Sequence, residues 1–200
     1  MERDVGGKLN QVTNIVCIGT STGGPRALQT VLMNFPASIK APIVIVQHMP
    51  PMFTKSLANR LDTICNIQVK EAEQGDVLQN GVAYIAPGGK HMRVLPTKKG
   101  LTIEINEDAL VNGHRPSVDV LFESIATIQR YKKIAVIMTG MGSDGAKGLQ
   151  ILKDTGCTTI AEAEQSCIVY GMPRAAVMTG KVDDVVPVSD ISKTIMKYIT

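Results

Sequence analysis

Apolar residues in this chain fall into short, unbroken, β-branched runs separated by longer stretches with a three-to-four-residue repeat. "NIVCIG" (14–19) precedes "PRALQTVLMNF" (25–35), and "PIVIVQHM" (42–49) precedes "FTKSLANRLDTI" (53–64). Runs without polar alternation predict strands buried on both faces, and i, i+3, i+4 spacing predicts amphipathic helices. The rhythm breaks over 67–107. There "IQVKEA", "GVAYIAPG", "HMRVLP" and "LTIEINE" follow one another closely, with "PGGK" and "TKKG" as turns, which predicts inserted antiparallel hairpins. It resumes with the helical "PSVDVLFESIATIQR" (116–130), the strand opening "KIAVIMTGMGSDG" (133–145) and the helix "AKGLQILKDTG" (146–156). "TTIAEA", "PRAAVMTG", "DDVVPV" and "ISKTIMKYI" continue it to the C-terminus. The expected fold is α/β: a doubly wound, mostly parallel sheet with helices on both faces and an inserted antiparallel hairpin region.

Composition narrows this picture. Two hundred residues with 44% hydrophobic content suit one domain, expected over 14–200, with 1–13 as a linker remnant or disordered N-terminus. No apolar run approaches the roughly 18 residues of a membrane span, so no membrane insertion is expected. The opening "MERDVGGKLNQVTN" lacks the apolar centre of a signal peptide, which makes a cytoplasmic location the default. A net charge of +3 without a basic block or aromatic platform argues against nucleic acid. Cys17, Cys65, Cys157 and Cys167 form no Cys-x-x-Cys pair and no zinc-type spacing with His91 or His114. They read as reduced, mostly core residues, with Cys17 inside an apolar run.

Ligands of doubly wound sheets bind beyond the carboxyl ends of the strands. Three unusual segments lie at such ends: "GTSTGG" (19–24), "QHMPP" (47–51) and "TGMGSDG" (139–145). Gly19-Thr20-Ser21-Thr22-Gly23 fits the G-x-S-x-G turn that exposes a nucleophilic serine. In such a turn the N–H of Thr22 stands beside a developing oxyanion. The plainer reading makes Ser21 a helix cap. A serine nucleophile needs a base, and of the three histidines only His48 ends a predicted buried strand. The carboxylate that orients such a base is best supplied by Asp144, although Asp144 also suits a cap for the helix starting near Gly145.

The same loop contains a literal G-x-G-x-x-G, Gly140 to Gly145, with Glu162 and Glu164 about 20 residues on. Nucleotide binding through this loop is therefore the alternative function. Against it, Asp144 would place a carboxylate where a pyrophosphate must sit. A non-catalytic binding module is a third possibility.

The longer segments carry a resemblance. "IGTSTGGPRAL", "QHMPPMFTKSLANRL", "VKEAEQGDVL", "AYIAPGGKHM", "HRPSVDVLFESIA", "VIMTGMGSDGAKGL" and "EAEQSCIVYGMPRAA" occur in an order similar to the catalytic domain of the chemotaxis protein-glutamate methylesterases, the CheB family. The resemblance implies a triad of Ser21, His48 and Asp144, and oxyanion donors at the backbone N–H groups of Met141 and Thr22. It implies hydrolysis of γ-methyl glutamate esters on methyl-accepting chemoreceptors and, in many members, deamidation of receptor glutamines. No cofactor is expected. It also implies an N-terminal receiver domain in full-length members, so an excised catalytic domain is expected to act without phosphorylation. The chain order Ser, His, Asp differs from the Ser, Asp, His order of α/β-hydrolases. His114 and Arg115 match a family segment but are given no catalytic role, because Ser117 and Asp119 make an ordinary helix start there. His91 follows a tight turn and is read as a surface residue, with a place near the cleft as the alternative. Met49, Met52 and Met141 either offer an adaptable surface or fill gaps.

Overall fold

The computed structural model describes residues 12–199; the expected linker remnant at 1–13 lies almost wholly outside the described residues. The elements are β1 (Asn14–Thr20), α1 (Gly24–Leu32), β2 (Ile43–Gln47), α2 (Phe53–Asp62), β3 (Gln68–Glu71), β4 (Val82–Ile85), β5 (His91–Thr97), β6 (Gly100–Asn106), α3 (Val118–Ala126), β7 (Lys132–Ile137), α4 (Ala146–Asp154), β8 (Thr158–Glu162), α5 (Met172–Met178), β9 (Asp184–Val186) and α6 (Val188–Tyr198). Seven strands form one parallel sheet in the order β3-β4-β2-β1-β7-β8-β9.

The sheet is buried on both faces, as the continuous apolar runs imply. Along β1, Ile15 and Cys17 face a core shared with α3, α4, α5 and the β5-β6 hairpin, while Val16 and Ile18 face α1, α2 and α6. Fully buried Phe122 fills the first core and Phe35 the second. Burying side chains of this size contributes about 2–3 kcal/mol each. Helices α3 and α4 approach so closely that a Cβ on Gly148 would lie 2.7 Å from the Cβ of Phe122. That contact seats the start of α3 beside the loop that follows β7.

The expected hairpin region is smaller than the spacing of its four runs suggests. Only β5 and β6 form an antiparallel pair, from His91↔Asn106 to Thr97↔Gly100. "IQVKEA" and "GVAYIAPG" instead become β3 and β4, which extend the parallel sheet at one edge without a crossover helix. The hairpin accounts for this: Val77, in the β3–β4 connection, bridges Thr102 of β6, and Leu78 N donates to Leu101 O at 2.8 Å. The hairpin therefore covers that face, where a crossover helix would otherwise lie.

Strand order reverses between β1 and β7. The chain leaves β1 towards β2 and leaves β7 towards β8, on the opposite side. The loops after β1 and β7 thus diverge and open a crevice at the carboxyl edge, the place where such sheets bind ligands.

Candidate active site

Ser21 follows β1 directly, and His48 follows β2. The two strands pair in register up to Thr20↔Gln47, so Ser21 and His48 stand one step beyond the last ladder pair. Four hydrogen bonds fix these ends. His48 N donates to Thr20 O at 3.1 Å and Ser21 N to Thr139 O at 3.0 Å. The buried amide of Gln47 donates to Ser21 O at 2.9 Å and to His48 O at 3.0 Å. After Ser21 the chain turns through Gly23, at φ 84°, into α1. This is a tight strand-to-helix turn, and Ser21 does not cap the helix with its side chain.

Asp144 is buried at the end of the loop after β7, and His48 Nε2 lies 2.8 Å from its Oδ2. The carboxylate also accepts from Val118 N at 2.7 Å, Ser117 Oγ at 2.8 Å, Asn112 Nδ2 at 3.1 Å and Asp119 N at 3.2 Å. The helix it caps is α3, not α4 as its sequence position suggests, and the positive end of α3 favours its charge. Burial pushes the pKa of Asp144 up, but the hydrogen bonds from His48, Val118, Ser117 and Asn112 outweigh it and hold the value at about 2. An ionised Asp144 only accepts hydrogen bonds, so His48 carries its proton on Nε2 and Nδ1 keeps a lone pair. Nδ1 is buried and has no hydrogen-bond partner among the described residues. Ser21 and His48 are thus brought to adjacent strand ends without a hydrogen bond joining them.

The segment between β6 and α3 closes one side of this pair. His91 is fully buried, contrary to its expected surface position. Its Nδ1 accepts from Ser117 N at 3.2 Å, leaving Nε2 to donate to Ala109 O at 3.0 Å. A turn-flanking "GGKH" gives no local sign of this, because both partners come from residues 18 and 26 positions later. Arg115 donates through Nη1 to the carbonyls of Glu107 and Asp108. Ser117 caps α3 as expected, accepting from Val120 N. His48, Met49, Leu110, His114 and Arg115 border an open cavity of about 340 Å³.

Beyond β7, Gly140 packs directly against the serine turn. A Cβ there would sit 2.4 Å from Met172 Sδ and 2.8 Å from Ser21 Cβ. Gly140→Ala is therefore expected to push Ser21 out of place and to lower turnover more than stability, which paired kinetic and thermal-unfolding measurements would check. Met141 follows on the surface, 71% exposed. Neither its N–H nor that of Thr22 donates to a protein acceptor among the described residues. Met52 is also exposed, at 83%, whereas Met49 packs against the core.

Three further residues bind these loops together: Gln47 and Thr139, which sequence reasoning missed, and Glu162, which it weighed only as a nucleotide-binding acid. Thr139 Oγ1 donates to Thr22 O at 2.9 Å and accepts from Val169 N at 3.0 Å. Buried Glu162 accepts from Thr139 N at 2.8 Å and Ser166 Oγ at 2.9 Å. Buried polar residues at strand ends were the available signal. This arrangement argues against the nucleotide-binding alternative, since buried Glu162 is engaged by protein donors at both oxygens and Asp144 puts a charge in the G-x-G-x-x-G loop. Among the described residues no group of three or more His, Cys, Asp or Glu is placed to hold a metal ion. No helix among them is long and apolar enough to cross a membrane. All four cysteines are free, and burial pushes the Cys17 thiol well above its usual range.

The site is thus a carboxylate–histidine pair at the carboxyl edge of a doubly wound parallel sheet, beside a serine on a strand-to-helix turn. The CheB methylesterase family model matches residues 16–195, and the chain belongs to that family. It is 58% identical over 186 residues to a protein-glutamate methylesterase/protein-glutamine glutaminase of Geobacillus kaustophilus, covering 92% of this chain and 53% of that protein. The protein of the same description in Bacillus subtilis is 51% identical, with 92% and 52% covered. The chain thus spans about half the length of the curated relatives it matches. The crystal structure of the Thermotoga maritima CheB methylesterase catalytic domain superposes with a TM-score of 0.90 at 44% identity, covering 92% of this chain and 97% of that one.

Proposed function

We propose that this chain is the catalytic domain, over residues 14–200, of a protein-glutamate methylesterase that also deamidates glutamine. Its substrates are γ-glutamyl methyl esters and glutamine amides on the cytoplasmic helices of methyl-accepting chemoreceptors. The observation that carries this reading is the His48–Asp144 pair at 2.8 Å, with His48 and Ser21 both one step beyond the last β1–β2 ladder pair, in a chain of this family. The other half of the longer relatives is assigned to a phospho-accepting receiver domain, and the protein to the cytoplasm.

The chemistry follows from the proton positions. Ser21 Oγ attacks the γ-carbonyl carbon while its proton passes to His48 Nδ1. Asp144, already ionised, stabilises the imidazolium through Nε2–H, and the N–H groups of Thr22 and Met141 receive the oxyanion. Collapse of the tetrahedral intermediate breaks the bond to the methoxy oxygen, which takes the Nδ1 proton and leaves as methanol. Water then attacks the acyl-enzyme by the same route and regenerates Ser21. For a glutamine the departing nitrogen must be protonated by His48 as the C–N bond breaks, so deamidation depends more heavily on that acid step.

Mass spectrometry of a methylated receptor peptide after incubation tests this directly. Loss of the methyl group and conversion of glutamine to glutamate are both expected, and both vanish in Ser21→Ala. A folded chain that leaves the methyl ester intact sinks the proposal.

A further inference from the structure

His114 lies flat on His48. The two ring centroids are 3.8 Å apart and the planes differ by 7°. The ring of His48 is held by one hydrogen bond at Nε2, and its other nitrogen has no partner among the described residues. A single bond at one corner of an imidazole fixes that corner but leaves the ring free to tilt about it. The contact with His114 removes this freedom on one face.

His114 is held firmly enough to serve as such a backstop. Its backbone exchanges two hydrogen bonds with Val111, at 2.9 and 3.1 Å, which closes a tight loop. Arg115 ties that loop to the carbonyls of Glu107 and Asp108, and buried His91 ties it to Ala109. Asn112, at φ 53°, reaches from the loop to both Asp119 and Asp144. Asparagine is among the few side chains that tolerate this left-handed conformation. The loop that carries His114 therefore also binds the carboxylate that binds His48, and the ring stack closes the circuit.

We infer that His114 is a positioning residue: its ring plane sets the plane in which His48 presents Nδ1 to the serine. The inference rests on the proposed roles of Ser21, His48 and Asp144. A flat, uncharged neighbour suits the reaction, because His48 gains a positive charge during attack. Burial lowers the pKa of His114 and His48 lowers it further, while Asp144 acts in the opposite direction. The ring is accordingly neutral at neutral pH and adds no charge repulsion when His48 takes the serine proton.

The test compares His114→Ala, which removes the backstop, with His114→Phe, which restores a flat ring without titratable nitrogens. Loss of orientation is expected to lower kcat of His114→Ala on the methylated receptor peptide by about ten- to a hundred-fold. KM is expected to stay within about two-fold, since the lost interaction acts on the base and not on bound substrate. The rate at which a fluorophosphonate labels Ser21 should fall in parallel, and His114→Phe should recover most of both rates. Wild-type kcat in His114→Ala overturns the inference, as does a folded His114→Phe no faster than His114→Ala, or a change confined to KM. Labelling that persists in Ser21→Ala removes the underlying reading and the inference with it. Wild-type kinetics in His114→Ala beside an inactive Ser21→Ala overturns the inference alone.

Discussion

Ser21→Ala is expected to lower methanol release from methylated receptor by on the order of ten-thousand-fold or more, because nucleophile, base and acid act as a unit. The protein should remain folded. Both backbone groups of Ser21 stay bonded, to Thr139 and Gln47, whereas its hydroxyl makes no hydrogen bond among the described residues. Removing one unpartnered oxygen from a half-buried residue should move the unfolding midpoint by no more than about 3 °C. A variant that loses activity and melts far lower would assign Ser21 to structure. One that keeps near-normal turnover would remove it from the chemistry.

Asp144→Asn should damage both activity and stability, and the reason is the set of donors around the carboxylate. His48, Asn112, Ser117 and the amides of Val118 and Asp119 all point hydrogen at it. An asparagine brings an NH₂ group into this shell, so at least one donor faces another donor in a buried site. The expected loss of stability is about 2–4 kcal/mol. Turnover should drop by roughly a thousand- to ten-thousand-fold, because the amide no longer holds the His48 tautomer with its proton on Nε2. The wild type has its own acid signature. Asp144 titrates at about 2 when folded, against 3.8 when unperturbed, which corresponds to a stabilisation of about 2 kcal/mol. A depressed carboxylate gives that stability in full above pH 3.8 and loses it as pH falls through about 2. Urea unfolding across this window should show the gap between wild type and Asp144→Asn narrowing as acid is added. A gap that stays constant would mean that Asp144 is not charged in the native state.

The helices and central strands were legible because their signals are local. The short run at 15–18, rich in β-branched residues, favours a buried strand, and Ser117 caps α3 through its own backbone neighbour. Ser21, His48 and Asp144 could be picked out for a related reason: each follows an apolar run at or beyond the carboxyl end of a strand, in a short segment that carries a reactive group. Pairing direction was not legible at β3 and β4, since a short strand followed by a turn reads alike whether it pairs with the next run or with a distant edge. Nor were the burial of His91, the stacking of His114 or the cap that Asp144 gives α3. Each depends on a partner 18 to 66 residues away, brought near only by the fold. The same holds for Gln47, Thr139 and Glu162, whose side chains meet loops from neighbouring strands.

The capping of α3 by Asp144 bears on transplantation. A designer moving this site to another parallel sheet would naturally copy the three strand-end loops. Without Asn112 and the start of α3, neither of which lies in those loops, the grafted aspartate would lose four of its five donors, and its charge would rest on the histidine alone. The minimal portable unit is accordingly the loops plus a helix whose first turn faces the acid. A graft lacking that helix should bind substrate analogues yet turn over slowly, with a base that lacks a fixed tautomer.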